Sequence, residues 1–268
     1  MRTLVRLSVT PVKALRLSHP TEAEITEGGI PGDRRFYLID EAGALFDATD
    51  HHALLRVVPD YEPETERLRL TFPDGSVVED VADRTGGPRT TDFFGRPVSG
   101  RIVQGPFADA LSAYVGAPLR FVRADRDGES QDVHPLTIVS SASVRDLGAF
   151  GEQPDLDARR FRITLEVDGF EAYEEDTWEW RDVRIGDVTI RVRGQIPRCV
   201  VTTLAPDSGE RDFRTLNFLA RHRPRIGGKG GLPFGMYAAA VRTGRVRVGD
   251  PVEPISSTRT PSTTAAGR

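Results

Sequence analysis

Turn chemistry cuts this chain into short pieces, and that limits what it can fold into more than any other feature. Pro73-Asp74-Gly75, Gly186-Asp187, Pro206-Asp207-Ser208-Gly209 and Thr243-Gly244 each separate stretches of aliphatic and β-branched residues. Proline fixes φ, Asp and Ser bond their own backbone, and Gly takes φ > 0 at no steric cost, so such clusters end strands and start hairpins. Strands are predicted at 4–9, 35–39, 67–71, 76–79, 97–103, 119–123, 137–140, 163–167, 183–185, 188–192, 199–204, 237–242 and 245–248. Many short strands at this spacing predict a mainly β (α+β) fold, a barrel or a sandwich. Three short helices are expected: 108–115, one from Ser140 or Ser141 to Leu147, and 214–223. The segment 105–130 holds the predicted internal boundary, and 256–268, with no apolar periodicity, is expected to be a disordered tail.

Composition excludes several classes of function. With 36 Lys+Arg against 40 Asp+Glu the net charge is −4, so no global basic field attracts nucleic acid. No apolar run approaches the length needed to span a bilayer. Arg2 and Arg6 interrupt the apolar residues of the first segment and no small-residue cleavage site follows, which speaks against a signal peptide and for the cytoplasm. Cys199 is the single cysteine, so the chain alone builds no disulfide, no Cys-rich zinc site and no iron–sulfur cluster. His19, His51, His52, His134 and His222 include no HExxH pair. Lys13 and Lys229 are the only lysines, the other basic residues being Arg.

The chain has no GxSxG, Walker A or GxGxxG motif. The run Gly227-Gly228-Lys229-Gly230-Gly231 is either an anion cradle of backbone N–H groups or a mobile surface loop. Cys199 follows Pro197 and Arg198, and a neighbouring cation favours the thiolate, a soft ligand for a transition metal. On spacing alone it reads sooner as a buried cysteine acting as a small hydrophobe.

Longer stretches widen the reading. Gly186-Asp187-Val188-Thr189, Pro197-Arg198-Cys199-Val200-Val201-Thr202-Thr203 and Pro206-Asp207-Ser208-Gly209 resemble the MOSC domain family, which includes the C-terminal domain of molybdenum cofactor sulfurases and amidoxime-reducing molybdenum enzymes. Thr10-Pro11-Val12-Lys13 resembles that family's Tyr-Pro-Val-Lys opening, and Gly32-Asp33-Arg34-Arg35-Phe36-Tyr37 its Asp-Arg-x-Phe/Trp strand. Asp132-Val133-His134-Pro135-Leu136, Arg160-Phe161-Arg162, Glu175-Asp176-Thr177-Trp178, Phe234-Gly235-Met236-Tyr237 and Val248-Gly249-Asp250-Pro251-Val252 follow in the family's order. The chain departs from the pattern at Ala14, where relatives carry Ser, at Ile163-Thr164 in place of Pro-Asn, and at Val133 in place of Gly.

The resemblance implies a MOSC N-terminal β-barrel region at 1–120 and a MOSC domain at 121–255. It implies a molybdenum cofactor (a molybdenum–pterin) between them, with Cys199 as the metal's protein ligand and catalytic centre. Lys13, Arg35 and Arg162 map onto family positions for phosphate and pterin contact, with Arg198 a further contact. Asp132 and Asp176 could orient substrate or pterin, or be plain turn and cap residues, and His134 could be a proton donor or a satisfied loop histidine. The activity implied is reduction of N-hydroxylated or N-oxide small molecules, with electrons from a separate ferredoxin or flavoprotein-type donor. A non-redox cofactor carrier or sulfur-transfer protein is the alternative.

Overall fold

The computed structural model describes residues 1–83, 85–225 and 231–255. The expected tail at 256–268 and Gly227 to Gly230, with Lys229, lie outside the described residues.

Strands dominate, and two sheets organise them. The larger has seven strands in the order Thr3–Leu7, Leu165–Asp168, Leu136–Ser140, Leu232–Arg242, Val188–Arg198, Asp182–Ile185 and Val252–Pro254. It almost closes on itself. Thr3 bridges Pro251, and the Val252 N–H donates to the Arg2 carbonyl at 3.0 Å. Closure leaves few unpaired strand edges. Inside lie Leu4, Leu7, Leu136, Ile138, Leu165, Val167, Val183, Val188, Ile190 and Val192, all buried. Val188, Ile190 and Val192 alternate with half-buried Thr189, Arg191 and Arg193, the period-2 pattern of a strand with one face in the core.

The second sheet has five strands in the order Leu45–Phe46, Phe36–Asp40, Leu119–Ala124, Arg96–Val103 and Thr85–Phe93. Beside it stands a meander of Val58–Glu62, Arg67–Thr71 and Val77–Val81. Their shared core includes Phe36, Leu38, Leu54, Leu68, Leu70, Phe107 and Phe121. The Pro73-Asp74-Gly75 turn joins the last two meander strands as expected, with Gly75 at φ +86 and Asp74 Oδ1 accepting from the Ser76 N–H at 2.9 Å.

The two units are not strictly sequential. Thr3–Leu7 pairs with Leu165–Asp168 in the seven-stranded sheet, and Glu22–Ile25 pairs with Gly244–Arg247. The chain thus starts in the seven-stranded sheet, crosses to the five-stranded one and returns. Residues between the first two strands therefore lie where the units meet.

The three helices form at Phe107–Val115, Ser141–Phe150 and Thr215–His222. Gly116 ends the first at φ +72, and the Ser140 hydroxyl caps the second by accepting from the Ala142 N–H at 3.2 Å. The expected strand at 199–204 is instead a 3-10 turn, Val200–Thr203. Its β-branched composition suggests a strand, but the Thr202 and Thr203 hydroxyls donate to the Cys199 and Val200 carbonyls at 2.9 and 2.7 Å and curl the backbone.

Candidate functional site

Cys199 stands at the junction of the long strand Val188–Arg198 and this turn, extended at φ −107, ψ −179, with its thiol free and exposed. Arg198, one residue back, turns inward. Its Nε donates to the Phe234 carbonyl at 2.7 Å and Nη1 to the Phe161 carbonyl at 3.0 Å, while Nη2 is buried without a partner among the described residues. Burial presses the Arg198 pKa down to about 10, opposed by the neighbouring Tyr237, Cys199 and Asp132. A buried guanidinium nitrogen with no acceptor is costly unless a ligand supplies one.

Arg162 reaches the same place from the turn Ala158–Phe161. It sits in the left-handed region at φ +53, and its Nη2 donates to the Leu15 carbonyl at 2.7 Å. Burial, with Arg34 adding to it, lowers its pKa to about 9, and Asp33, Asp132 and Cys199 oppose the shift.

Lys13 arrives from the loop after the first strand. Its N–H donates to the Phe36 carbonyl at 2.8 Å, and Phe36 N–H donates to the Pro11 carbonyl at 2.9 Å, which pins the loop to the five-stranded sheet. Its ammonium pairs with Asp132 and lies 5.5 Å from the Phe93 ring centroid. The Asp132 side chain keeps 54% of its surface accessible. Yet burial is the largest force on its acidity; Lys13, Arg34 and Arg198 overcome it and hold the carboxyl below the usual range. The accessible carboxylate is faced by Lys13, Arg34 and Arg198, and the cations converging on it define the candidate cleft.

Tyr237, on the strand Leu232–Arg242, adds a hydroxyl. Burial pushes its pKa up to about 12, reinforced by Asp132 and countered by Arg198, so it is a donor at neutral pH. His134 packs edge-on against its ring at 5.5 Å, and burial and Arg193 lower the imidazole pKa.

The structure thus brings together Cys199, Arg198, Arg162, Lys13 and Asp132, with His134 at the edge. It does not bring Arg35 to them. Arg35 meets Asp127 at 3.4 Å and its charge is felt at Tyr61. Its neighbour Arg34 is the residue that joins the cluster. Asp176 also stands elsewhere, paired with Arg223 beside the helix Thr215–His222. Tyr237 and Arg34 went unassigned on sequence. Among the described residues no three of His, Cys, Asp and Glu gather as a metal site, so Cys199 is the one soft ligand that the cleft offers.

Residues 125–253 match the MOSC domain and residues 1–118 the MOSC N-terminal beta barrel domain. The chain is similar to the human "Mitochondrial amidoxime reducing component 2", 28% identical over 93% of this chain and 82% of that protein. It is likewise similar to the human "Mitochondrial amidoxime-reducing component 1", at 25% identity over the same shares. A crystal structure of the YuaD protein from Bacillus subtilis aligns over 94% of this chain and 96% of its own, at 12% identity and a TM-score of 0.42.

Proposed function

The chain belongs to the MOSC family, its MOSC N-terminal beta barrel domain and MOSC domain together spanning almost all of it, and from that premise we propose that it is a molybdenum-cofactor oxidoreductase reducing N-hydroxylated or N-oxide small molecules. The observation that carries the reading is an exposed thiol beside a cleft whose guanidinium, Arg198 Nη2, is buried with no acceptor among the described residues. The names of its relatives point to amidoximes as the substrate type.

The residues fit the group. A molybdenum–pterin carries two sulfurs for the metal and a phosphate dianion; the cleft offers a third sulfur and several cations. Cys199 would bind the metal, and Lys13, Arg162 and Arg198 would hold the phosphate and pterin by charge-assisted hydrogen bonds. Arg35, expected at a pterin contact, is paired with Asp127 instead and is left out of the proposed set. When bound, the cofactor supplies two-electron chemistry that takes oxygen from an N–OH or N-oxide group. The Tyr237 hydroxyl, protonated at neutral pH, would be a donor to a bound ligand, beside the Lys13–Asp132 pair. Reducing N–OH to N–H with release of water consumes two electrons and two protons. With Cys199 the only cysteine of this sequence, its own thiolates build no iron–sulfur cluster, and a separate electron-donor protein is part of the proposal. No helix among the described residues is long and apolar enough to cross a membrane; a cytoplasmic site of action is part of the proposal.

The test is molybdenum per chain by elemental mass spectrometry for wild type and Cys199→Ser, both made in a host that synthesises the cofactor, followed by amidoxime turnover with a chemical reductant. Near-stoichiometric metal and turnover in wild type, both lost in the variant, support the proposal. Metal without turnover shifts the reading to a cofactor carrier or sulfur-transfer protein. Negligible metal in folded wild type rejects both.

A further inference from the structure

Three cleft segments come from distant parts of the chain, and one buried pair touches all three. Asp33 and Arg34 are 3% and 8% exposed. Asp33 Oδ1 accepts from the Thr10 N–H at 2.8 Å, at the head of the loop that carries Lys13. Asp33 Oδ2 accepts from Arg34 Nη1 at 2.5 Å and from Gln131 Nε2 at 2.7 Å, next to Asp132. Arg34 Nη2 donates to the Arg162 carbonyl at 3.1 Å. The Arg34 N–H donates to the Thr10 carbonyl at 2.6 Å, and the Ser130 hydroxyl donates to the Arg34 carbonyl. Arg162 then returns to the first loop through the Leu15 carbonyl. The bonds form a closed ring: Asp33, Thr10, the loop to Leu15, Arg162, Arg34 and back to Asp33.

Backbone conformation marks the same ring. Ala14, Arg34 and Arg162 all lie in the left-handed region, at φ +77, +49 and +53. Such residues persist only where their surroundings over-determine them, and here each sits in one of the segments that the ring joins.

We propose that the Asp33–Arg34 pair is the positioning element of the cleft, holding Lys13, Asp132 and Arg162 in one geometry for an anionic group such as the cofactor phosphate. The inference rests on the proposed anion-binding role of the cleft. Charge and position make opposite forecasts, which is what makes it testable. If Asp33 were only a counter-charge, removing it would leave the cleft more positive and tighten anion binding. If it positions, removing it weakens binding although the net positive charge rises.

The experiment titrates the full-length chain, made without cofactor, with inorganic phosphate by calorimetry at fixed ionic strength. Arg162→Gln marks the heat that belongs to the cleft. Asp33→Asn removes the charge, and Arg34→Lys keeps its charge but loses the fork that spans Asp33 and the Arg162 carbonyl. Both are expected to weaken cleft phosphate binding about tenfold, the loss of one charge-assisted hydrogen bond's worth of order. Gln131→Ala removes a single arm and is expected to weaken it severalfold in a folded chain, so the proposal stays testable if Asp33→Asn fails to fold. Unchanged or tighter binding in Asp33→Asn or, should it not fold, in Gln131→Ala overturns the proposal, as does full affinity in Arg34→Lys. If wild type gives no heat sensitive to Arg162→Gln, the anion-binding reading itself falls, and the proposal with it.

Discussion

Arg159, Arg160 and Arg162 lie within one short turn, yet they meet opposite surroundings. Arg159 has two carboxylates, Asp157 and Asp207, each at 2.6 Å, and their hydrogen bonds raise its pKa. Arg160 is paired through both terminal nitrogens with Asp212, at 2.9 and 3.0 Å. Arg162 donates to a backbone carbonyl instead, lies near the like charge of Arg34, and has its pKa lowered. On the outer side counter-ions saturate the guanidinium groups, and the result is a clamp joining the turn to residues 207 and 212. On the inner side the pairing is left incomplete. Where a carboxylate already occupies the fork, a ligand phosphate has nothing to gain; where it does not, the protein has kept cation capacity in reserve.

This contrast is open to direct attack, most forcefully at Arg160. Its side chain is 1% exposed, so Arg160→Leu strands Asp212 and is expected to cost about 3 kcal/mol, the low end for breaking a buried pair because Asp212 is 36% exposed. Denaturant unfolding measures it, and phosphate affinity should stay at the wild-type value. A loss of affinity with intact folding would show that the outer clamp also serves the cleft.

Glu175 gives the next effect, from a region unlike either arginine group. It is fully buried, accepts from the Ser140 N–H at 3.2 Å and the Ser143 hydroxyl at 2.9 Å, and has no cation paired with it. Burial pushes its pKa up to about 7. The folded state therefore holds a proton that the unfolded state has released between about pH 4.5 and 7. That contribution is fully present below pH 4.5 and is lost as pH rises to 7, up to about 3 kcal/mol in all. Glu175→Gln should flatten the pH dependence of unfolding free energy across that window. An unchanged slope would show that the carboxyl titrates normally.

Arg162→Gln inverts the Arg160 result. It should weaken phosphate binding about tenfold, or about 1.4 kcal/mol, while shifting unfolding free energy by less than about 1 kcal/mol, since it removes a charge that folding strains to bury. A large stability loss would make Arg162 a clamp like its neighbours. The smallest effect is expected at Ala14→Gly. Relief of the left-handed backbone should stabilise the fold by about 0.5–1 kcal/mol, while loosening of the loop weakens phosphate binding a few-fold. Calorimetry beside thermal melts would separate the two, and equal affinities would show that the strain at Ala14 has no bearing on the cleft.

Sequence and structure agree best where punctuation is dense. Strands next to Gly and Pro, such as Arg67–Thr71 and Val188–Arg198, are legible because a turn needs residues that few others replace. The motif run around Cys199 points to one family, and its barrels follow. Two places differ from what the sequence suggests, each for a physical reason. The 199–204 segment has strand composition, but side-chain hydroxyls two and three residues into the turn outcompete a partner strand. The choice between Arg34 and Arg35 depends on one dihedral: Arg34 at φ +49 sends its side chain towards Arg162 and leaves Arg35 to Asp127. Neighbouring identical residues carry no signal for which of them faces inward. Tyr237 hides for another reason. Its strand is buried along most of its length, so no alternation distinguishes a cleft residue from a packing one.

The strand Thr3–Leu7 has a consequence for how the molecule is made. Its partner, Leu165–Asp168, is translated long after it, once the five-stranded sheet and its meander have left the ribosome. Until then the first strand is an open ladder waiting for a distant segment, and the seven-stranded barrel has no seam to seal. Contacts of such long sequence separation form late and slowly. Because the loop carrying Lys13 follows directly from that strand and Cys199 comes later still, the cleft cannot be complete until the chain has been made past residue 199.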